Sequence, residues 1–135
     1  MALQDPEIPS SLFKLFRNIA TIANEITAKQ WKIGRMTQSY LLYGFSIETD
    51  LARLYFGYSL PLWSEFRTPV ILQAVPSDFK LDKNLVVGRL TEIGFISGKN
   101  DRLYRPFRIE TMNSWKKVLS DILNNLKSEE HPEAN

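Results

Sequence analysis

Leu42-Tyr43-Gly44-Phe45-Ser46-Ile47-Glu48-Thr49-Asp50-Leu51-Ala52-Arg53-Leu54-Tyr55-Phe56-Gly57-Tyr58-Ser59 decides the fold, because two apolar and aromatic runs flank one short polar stretch. Half of the 16 aromatic residues lie within the 27 positions from Tyr40 to Phe66, and the flanking Ile, Leu and Thr favour extended chain. The pattern predicts strands at about 39–48 and 51–59, joined by a tight turn at Glu48, Thr49 and Asp50. Successive side chains of a strand point to opposite faces. Ala52, Leu54, Phe56 and Tyr58 therefore share one face, and Arg53, Tyr55, Gly57 and Ser59 the other. The first face reads as core. The second reads as a solvated platform, with Gly57 letting another group approach the backbone.

Upstream, Pro9, Ser10 and Ser11 announce a helix, since a serine hydroxyl can accept from an orphaned first-turn amide. Leu12, Leu15, Phe16, Ile19, Ile22, Ala23 and Ile26 recur at steps of three and four, which predicts an amphipathic helix over about 11–30. Its stripe reads as core, and its two phenylalanines also suit a homodimer face. Downstream, Pro61 to Phe66 reads as one helical turn carrying Trp63, and Val70 to Val75 as a strand ended by Pro76. Residues 82–94 read as a helix closed by Gly94. Phe95 to Ser97 and Arg102 to Ile109 form a second hairpin around Gly98, Lys99, Asn100 and Asp101, and Pro106 points to an edge or a bulge. Trp115, Val118, Leu119, Ile122, Leu123 and Leu126 mark the last helix, with Thr111 or Asn113 as its cap. This order predicts an α+β fold: a mainly antiparallel sheet of four to five strands with an N-terminal, a middle and a C-terminal helix packed on it. One domain is expected over 11–127, between a flexible segment at 1–10 and a disordered acidic tail at 128–135.

Composition narrows the chemistry. The 135 residues contain no cysteine and a single histidine, His131, which sits in the acidic tail. Thiol nucleophiles, disulfides, zinc clusters and a Ser-His relay are thereby set aside, and the chain reads as a non-enzyme without a cofactor. The formal net charge of +2 hides an uneven distribution. All 17 basic residues lie between Lys14 and Lys127; with Asp5, Glu7, Glu129, Glu130 and Glu133 set aside, 10 acids remain in 10–127, so the body carries +7. Such a body suits an anionic partner, and equally a solvated surface with acidic ends. The N-terminus lacks the basic-then-apolar order of a secretory signal, and no apolar run approaches the ~20 residues of a membrane helix. A cytoplasmic setting without membrane contact is the default expectation.

Two binding readings remain. The first is a module that recognises a protein partner through Tyr55, Trp63 and Phe66, with Arg53 beside them, because aromatics rimmed by charge dominate interface energetics. The second is nucleic-acid binding through Lys99, Arg102, Arg105 and Arg108 of the second hairpin, placed like the wing of a winged-helix domain. Gly94, Gly98, Lys99 and Asn100 fall one residue short of a phosphate loop and lack its hydroxyl, and the carboxylates Glu48, Asp50 and Glu65 read as turn and surface residues before metal ligands.

The succession Tyr43-Gly44-Phe45, Leu54-Tyr55-Phe56-Gly57, Pro61-Leu62-Trp63, Thr68-Pro69 and Leu103-Tyr104-Arg105-Pro106, followed by an amphipathic helix, resembles the aromatic-rich C-terminal region of bacterial PD-(D/E)xK nuclease-type proteins over about residues 40 to 126. The catalytic signature of that family does not come with it: there is no Glu-x-Lys, and Asp78-Phe79-Lys80 is expected in a turn. The resemblance implies an accessory module for contacting a partner or nucleic acid, in a bacterial or phage defence or counter-defence setting.

Overall fold

The computed structural model describes residues 7–29, 31–39 and 41–127, with side chains from Leu12 onward. The expected tail at 128–135, with His131, and residues 1–6 lie outside the described residues. Helix α1 spans Glu7–Ala28, starting four residues before the expected position. Pro9 is tolerated there because first-turn amides have no intrahelical acceptor in any case, so Glu7 to Ser10 belong to the domain's first helix. Leu15, Ile19, Ile22, Ala23 and Ile26 are buried, and Phe16 stacks on Tyr43 with ring centroids 4.3 Å apart. Phe13, on the far side, is 71% exposed.

The predicted hairpin forms from β2 (Leu42–Glu48) and β3 (Ala52–Ser59). Its turn is held by Thr49, whose hydroxyl accepts from the amides of Leu51 and Ala52 and donates to the Ala52 carbonyl at 2.6 Å. Glu48 is used differently, as described below. A short helix α2 (Leu60–Phe66) leads to β4 (Val70–Phe79), then α3 (Lys83–Glu92), β5 (Ile96–Ser97), β6 (Leu103–Phe107) and α4 (Trp115–Asn125). With β1 (Thr37–Gln38) the sheet has six strands where four to five are expected, in the order β1-β2-β3-β4-β6-β5, every pair antiparallel. The α+β class stands as expected.

β4 does not stop at Pro76. The register against β3 shifts between Ala52 and Leu54, so that Leu54 faces Ala74 while Ala52 faces Phe79. The extra residues around Pro76 bulge out, which is how a strand accommodates a proline without losing its ladder. Asp78-Phe79-Lys80 therefore finishes a strand and does not form the expected turn.

One face of the sheet presents Phe45, Ile47, Leu54, Phe56, Tyr58, Val70, Leu72, Ala74, Leu103 and Phe107, and α1, α3 and α4 cover it in a single apolar cluster. Phe56 is its hub, with ring centroids 5.8 Å from Phe45, 5.1 Å from Phe107 and 6.2 Å from Trp115. Asp82 caps α3 by accepting from the Asn84 and Leu85 amides, whereas α4 has Ser114 at its cap position with no side-chain cap bond. The expected caps Thr111 and Asn113 fall instead inside a 3-10 segment, Ile109–Ser114, where the Thr111 hydroxyl donates to the Arg108 carbonyl.

Candidate functional site

The two predicted sets of binding residues are redistributed by this fold. On the second sheet face, Gly44 and Gly57 stand opposite each other, and the Tyr55 side chain brings its hydroxyl over both. A Cβ on Gly44 would come within 2.7 Å of the Tyr55 hydroxyl oxygen, and one on Gly57 within 2.9 Å. The hydroxyl donates to the Tyr58 carbonyl at 2.9 Å, and burial pushes the phenol well above its ordinary value. The groups that Gly57 admits are thus the protein's own, the β2 backbone at Tyr43 and Gly44 and the Tyr55 hydroxyl. Tyr104 does the same on the outer hairpin, lying against Gly98.

Arg53 lies beside that platform, paired through Nε with Glu48 Oε2 at 2.6 Å, while Lys80 Nζ holds Glu48 Oε1 at 2.8 Å and also donates to the Thr49 carbonyl. Lys80 and Arg53 hold the Glu48 carboxyl below its ordinary 4.5. A carboxyl whose folded pKa is depressed contributes stability above its unfolded pKa and loses it as pH falls through the folded value. Glu48→Gln is accordingly expected to lower Tm modestly at pH 7, with the difference from wild type shrinking as pH falls below 4.5 and through the depressed folded value. Paired thermal melts across that range test it, and a pH-independent difference would deny the carboxylate this part.

Trp63 and Phe66 lie on α2. Trp63 meets Tyr58 edge-on at 6.2 Å and is 37% exposed, and Phe66 is half-buried against Tyr104 at 5.0 Å. These two and the pair Tyr55 and Arg53 do not form one patch: Tyr55 and Arg53 share a separate small pocket with Ser46, Gln73, Val75 and Asp78.

The basic set also divides. Arg102 and Arg108 flank β6 at opposite ends, about 20 Å apart at the rise of a strand. Lys99 and Arg102 stay on the outer turn, where Asn100 and Asp101 adopt left-handed backbone (φ 59° and 63°) and Asp101 pairs with Lys83 at 2.8 Å. The hairpin is built into the sheet, β6 lying between β4 and β5, so it does not project as a wing.

Arg105 and Arg108 meet a residue that sequence reasoning missed. Together with Arg67 they line a cleft of about 620 Å³ that also contains Phe66, Thr68, Gly94, Pro106 and Glu110. Arg67 ends α2 in left-handed backbone (φ 60°, ψ 20°), a conformation that costs a residue with a Cβ roughly 1–2 kcal/mol and that glycine takes freely. Thr68 donates through its hydroxyl to the Phe107 carbonyl, tying the end of α2 to the end of β6. Trp115 Nε1 donates to the Arg108 carbonyl at 3.0 Å and fixes the other side. The Arg105 guanidinium lies 5.2 Å from the centre of the Phe107 ring and donates to the Pro106 carbonyl, whereas Arg67 has no ion-pair partner among the described residues. Arg108 is 3.6 Å from Glu110, with both side chains largely exposed. Three guanidinium groups against one carboxylate leave the cleft electropositive, and planar guanidinium forks suit bidentate capture of phosphate or carboxylate oxygens.

Among the described residues no group of three or more His, Cys, Asp or Glu side chains is placed to hold a metal ion, and no helix is long and apolar enough to cross a membrane. Comparison with known proteins returns no matching family model, curated protein or solved structure.

Proposed function

We propose that this chain is a non-enzymatic binding module that engages nucleic-acid phosphates through the cleft of Arg67, Arg105 and Arg108. The observation that carries the reading is the convergence of these three side chains from two separate elements around a concave site walled by an aromatic ring, Phe66. Arginine supplies the phosphate contacts, and an aromatic face accepts an unstacked base. Arg67 adds weight, because backbone strain persists where the surrounding structure holds it and clusters at functional sites. The positive charge of the domain body supports the same reading by drawing an anionic chain toward the cleft. On the resemblance to nuclease-associated regions, such a module would act beside a partner enzyme in bacterial or phage defence.

The test is fluorescence anisotropy with labelled single-stranded oligonucleotides over a salt series. Arg67→Gly combined with Arg108→Ala should weaken binding by about 10- to 100-fold and reduce the salt slope by roughly 0.7 for each phosphate that is no longer neutralised. Arg67→Gly alone should leave Tm unchanged or raise it, since glycine removes the left-handed penalty. A variant that binds as tightly as wild type at low salt would end the proposal.

A second reading, a protein partner, is supported by Leu60 and Trp63 of α2, large apolar side chains that are 40% and 37% exposed. It predicts that Trp63→Ala weakens capture of that partner with Tm little changed.

A further inference from the structure

A second cleft, of about 480 Å³, lies where α1 passes the 3-10 segment Ile109–Ser114, and is lined by Lys14, Arg17, Asn18, Thr21, Ile109, Glu110, Met112 and Asn113. Glu110 belongs to the walls of both clefts. The segment around it therefore divides two basic hollows, with Arg67, Arg105 and Arg108 on one side and Lys14 and Arg17 on the other. Among the described residues, five cationic side chains face a single carboxylate along this path. Lys14 and Arg17 are exposed and have no ion-pair partner among the described residues. Asn18 carries a side-chain nitrogen that is buried without a hydrogen-bond partner, a costly state for a native donor.

We infer that the two clefts form one track, and that its ligand is an extended single strand of nucleic acid crossing the Glu110 divide from the arginine cleft to the Lys14 and Arg17 cleft. The inference rests on the nucleic-acid reading above and gives it a ligand length and a direction. Two features select a single strand. The two hollows are concave clefts of about 480 and 620 Å³ that meet at Glu110, which a flexible single strand can enter and a stiff duplex cannot. The lining alternates cations with an aromatic ring in one hollow and with amide and hydroxyl groups of Asn18, Thr21 and Asn113 in the other, the mixture that serves phosphates and exposed base edges together.

The experiment compares oligothymidylates of about 4 and about 16 nucleotides, within the span that single modules occupy, on wild type, on Lys14→Ala with Arg17→Ala, and on Arg67→Gly with Arg108→Ala. Tm is recorded for each variant, and the altered side chains are exposed enough for folding to be kept. The expected result is that wild type binds the longer oligomer at least tenfold more tightly than the shorter. The Lys14 and Arg17 variant should lose that advantage while binding the short oligomer as wild type does, and the Arg67 and Arg108 variant should weaken both. If the Lys14 and Arg17 variant binds both lengths like wild type while the arginine variant fails, the track is refuted and the arginine cleft stands alone. If neither variant differs from wild type, both readings fall. If oligoglutamate binds with the same dependence on Lys14 and Arg17 and oligothymidylate does not, the ligand is an acidic peptide and the inference is overturned.

Discussion

Trp115→Ala is expected to destabilise the fold by about 3–5 kcal/mol, the cost of emptying a large aromatic site that cannot collapse. Trp115 is fully buried, its ring lies 6.2 Å from Phe56 and 6.0 Å from Phe107, and its Nε1 donates to the Arg108 carbonyl. Removing it takes the ring of α4 out of the aromatic hub and leaves the Arg108 carbonyl with only its bonds from the Thr111 amide and hydroxyl. Against a total stability of about 5–15 kcal/mol, the loss should lower Tm by on the order of 10–20 °C in a calorimetric or circular dichroism melt. Trp115→Phe separates the two contributions. It keeps most of the ring packing and gives up the hydrogen bond, worth about 1 kcal/mol, so its melt should fall far less, the Arg108 carbonyl keeping its two bonds from Thr111. A melt of Trp115→Ala within a few degrees of wild type would remove this residue from the centre of the core.

The second large effect is expected at Tyr55. Its ring supplies the side-chain cover that Gly44 and Gly57 lack, on a sheet face where α1, α3 and α4 do not reach. Tyr55→Ala uncovers that glycine pair and deletes the bond to the Tyr58 carbonyl, which should cost about 2–4 kcal/mol, less than a full core deletion because the ring is partly exposed. Tyr55→Phe should cost about 1 kcal/mol, the hydroxyl bond alone. The opposite outcome is as informative: if Tyr55→Ala melts like wild type but loses a binding partner, Tyr55 is the exposed anchor that its place on the polar side of the strand suggests.

That contrast marks where sequence reading stops. The alternation over Ala52, Leu54, Phe56 and Tyr58 and the three-and-four spacing of Leu15, Ile19, Ile22 and Ile26 are local, and burial follows them closely. Alternation assigns a side chain to a face but says nothing of how it leans along that face, so Tyr55 reads as free when it is spent on a neighbouring glycine pair. The edge strands Thr37–Gln38 and Ile96–Ser97 are too short for any period to register. The continuation of β4 past Pro76 depends on a bulge against β3, which only pairing reveals. Arg67 gave no local sign of a role. Pro69 soon after it marks the end of α2, but its meeting with Arg105 and Arg108 comes from the pairing of β4 with β6.

The two-residue borders of the sheet carry a consequence for association. An outer strand with unpaired amides and carbonyls is a template on which another chain can lay a strand, and its reach grows with its length. On the β2 side the irregular segment before β1 already takes up the ladder, the Gly34 amide donating to Ser46 and the Glu48 amide to Lys32, so that what remains outermost is Thr37–Gln38. On the other side β5 is equally brief and covers only Leu103 and Tyr104 of β6, beyond which Pro106, lacking an amide hydrogen, interrupts the outer edge. Among the described residues neither margin offers a long uninterrupted run of backbone donors and acceptors, so copies of this chain that meet through these margins lack the continuous hydrogen-bonded seam from which fibres are built.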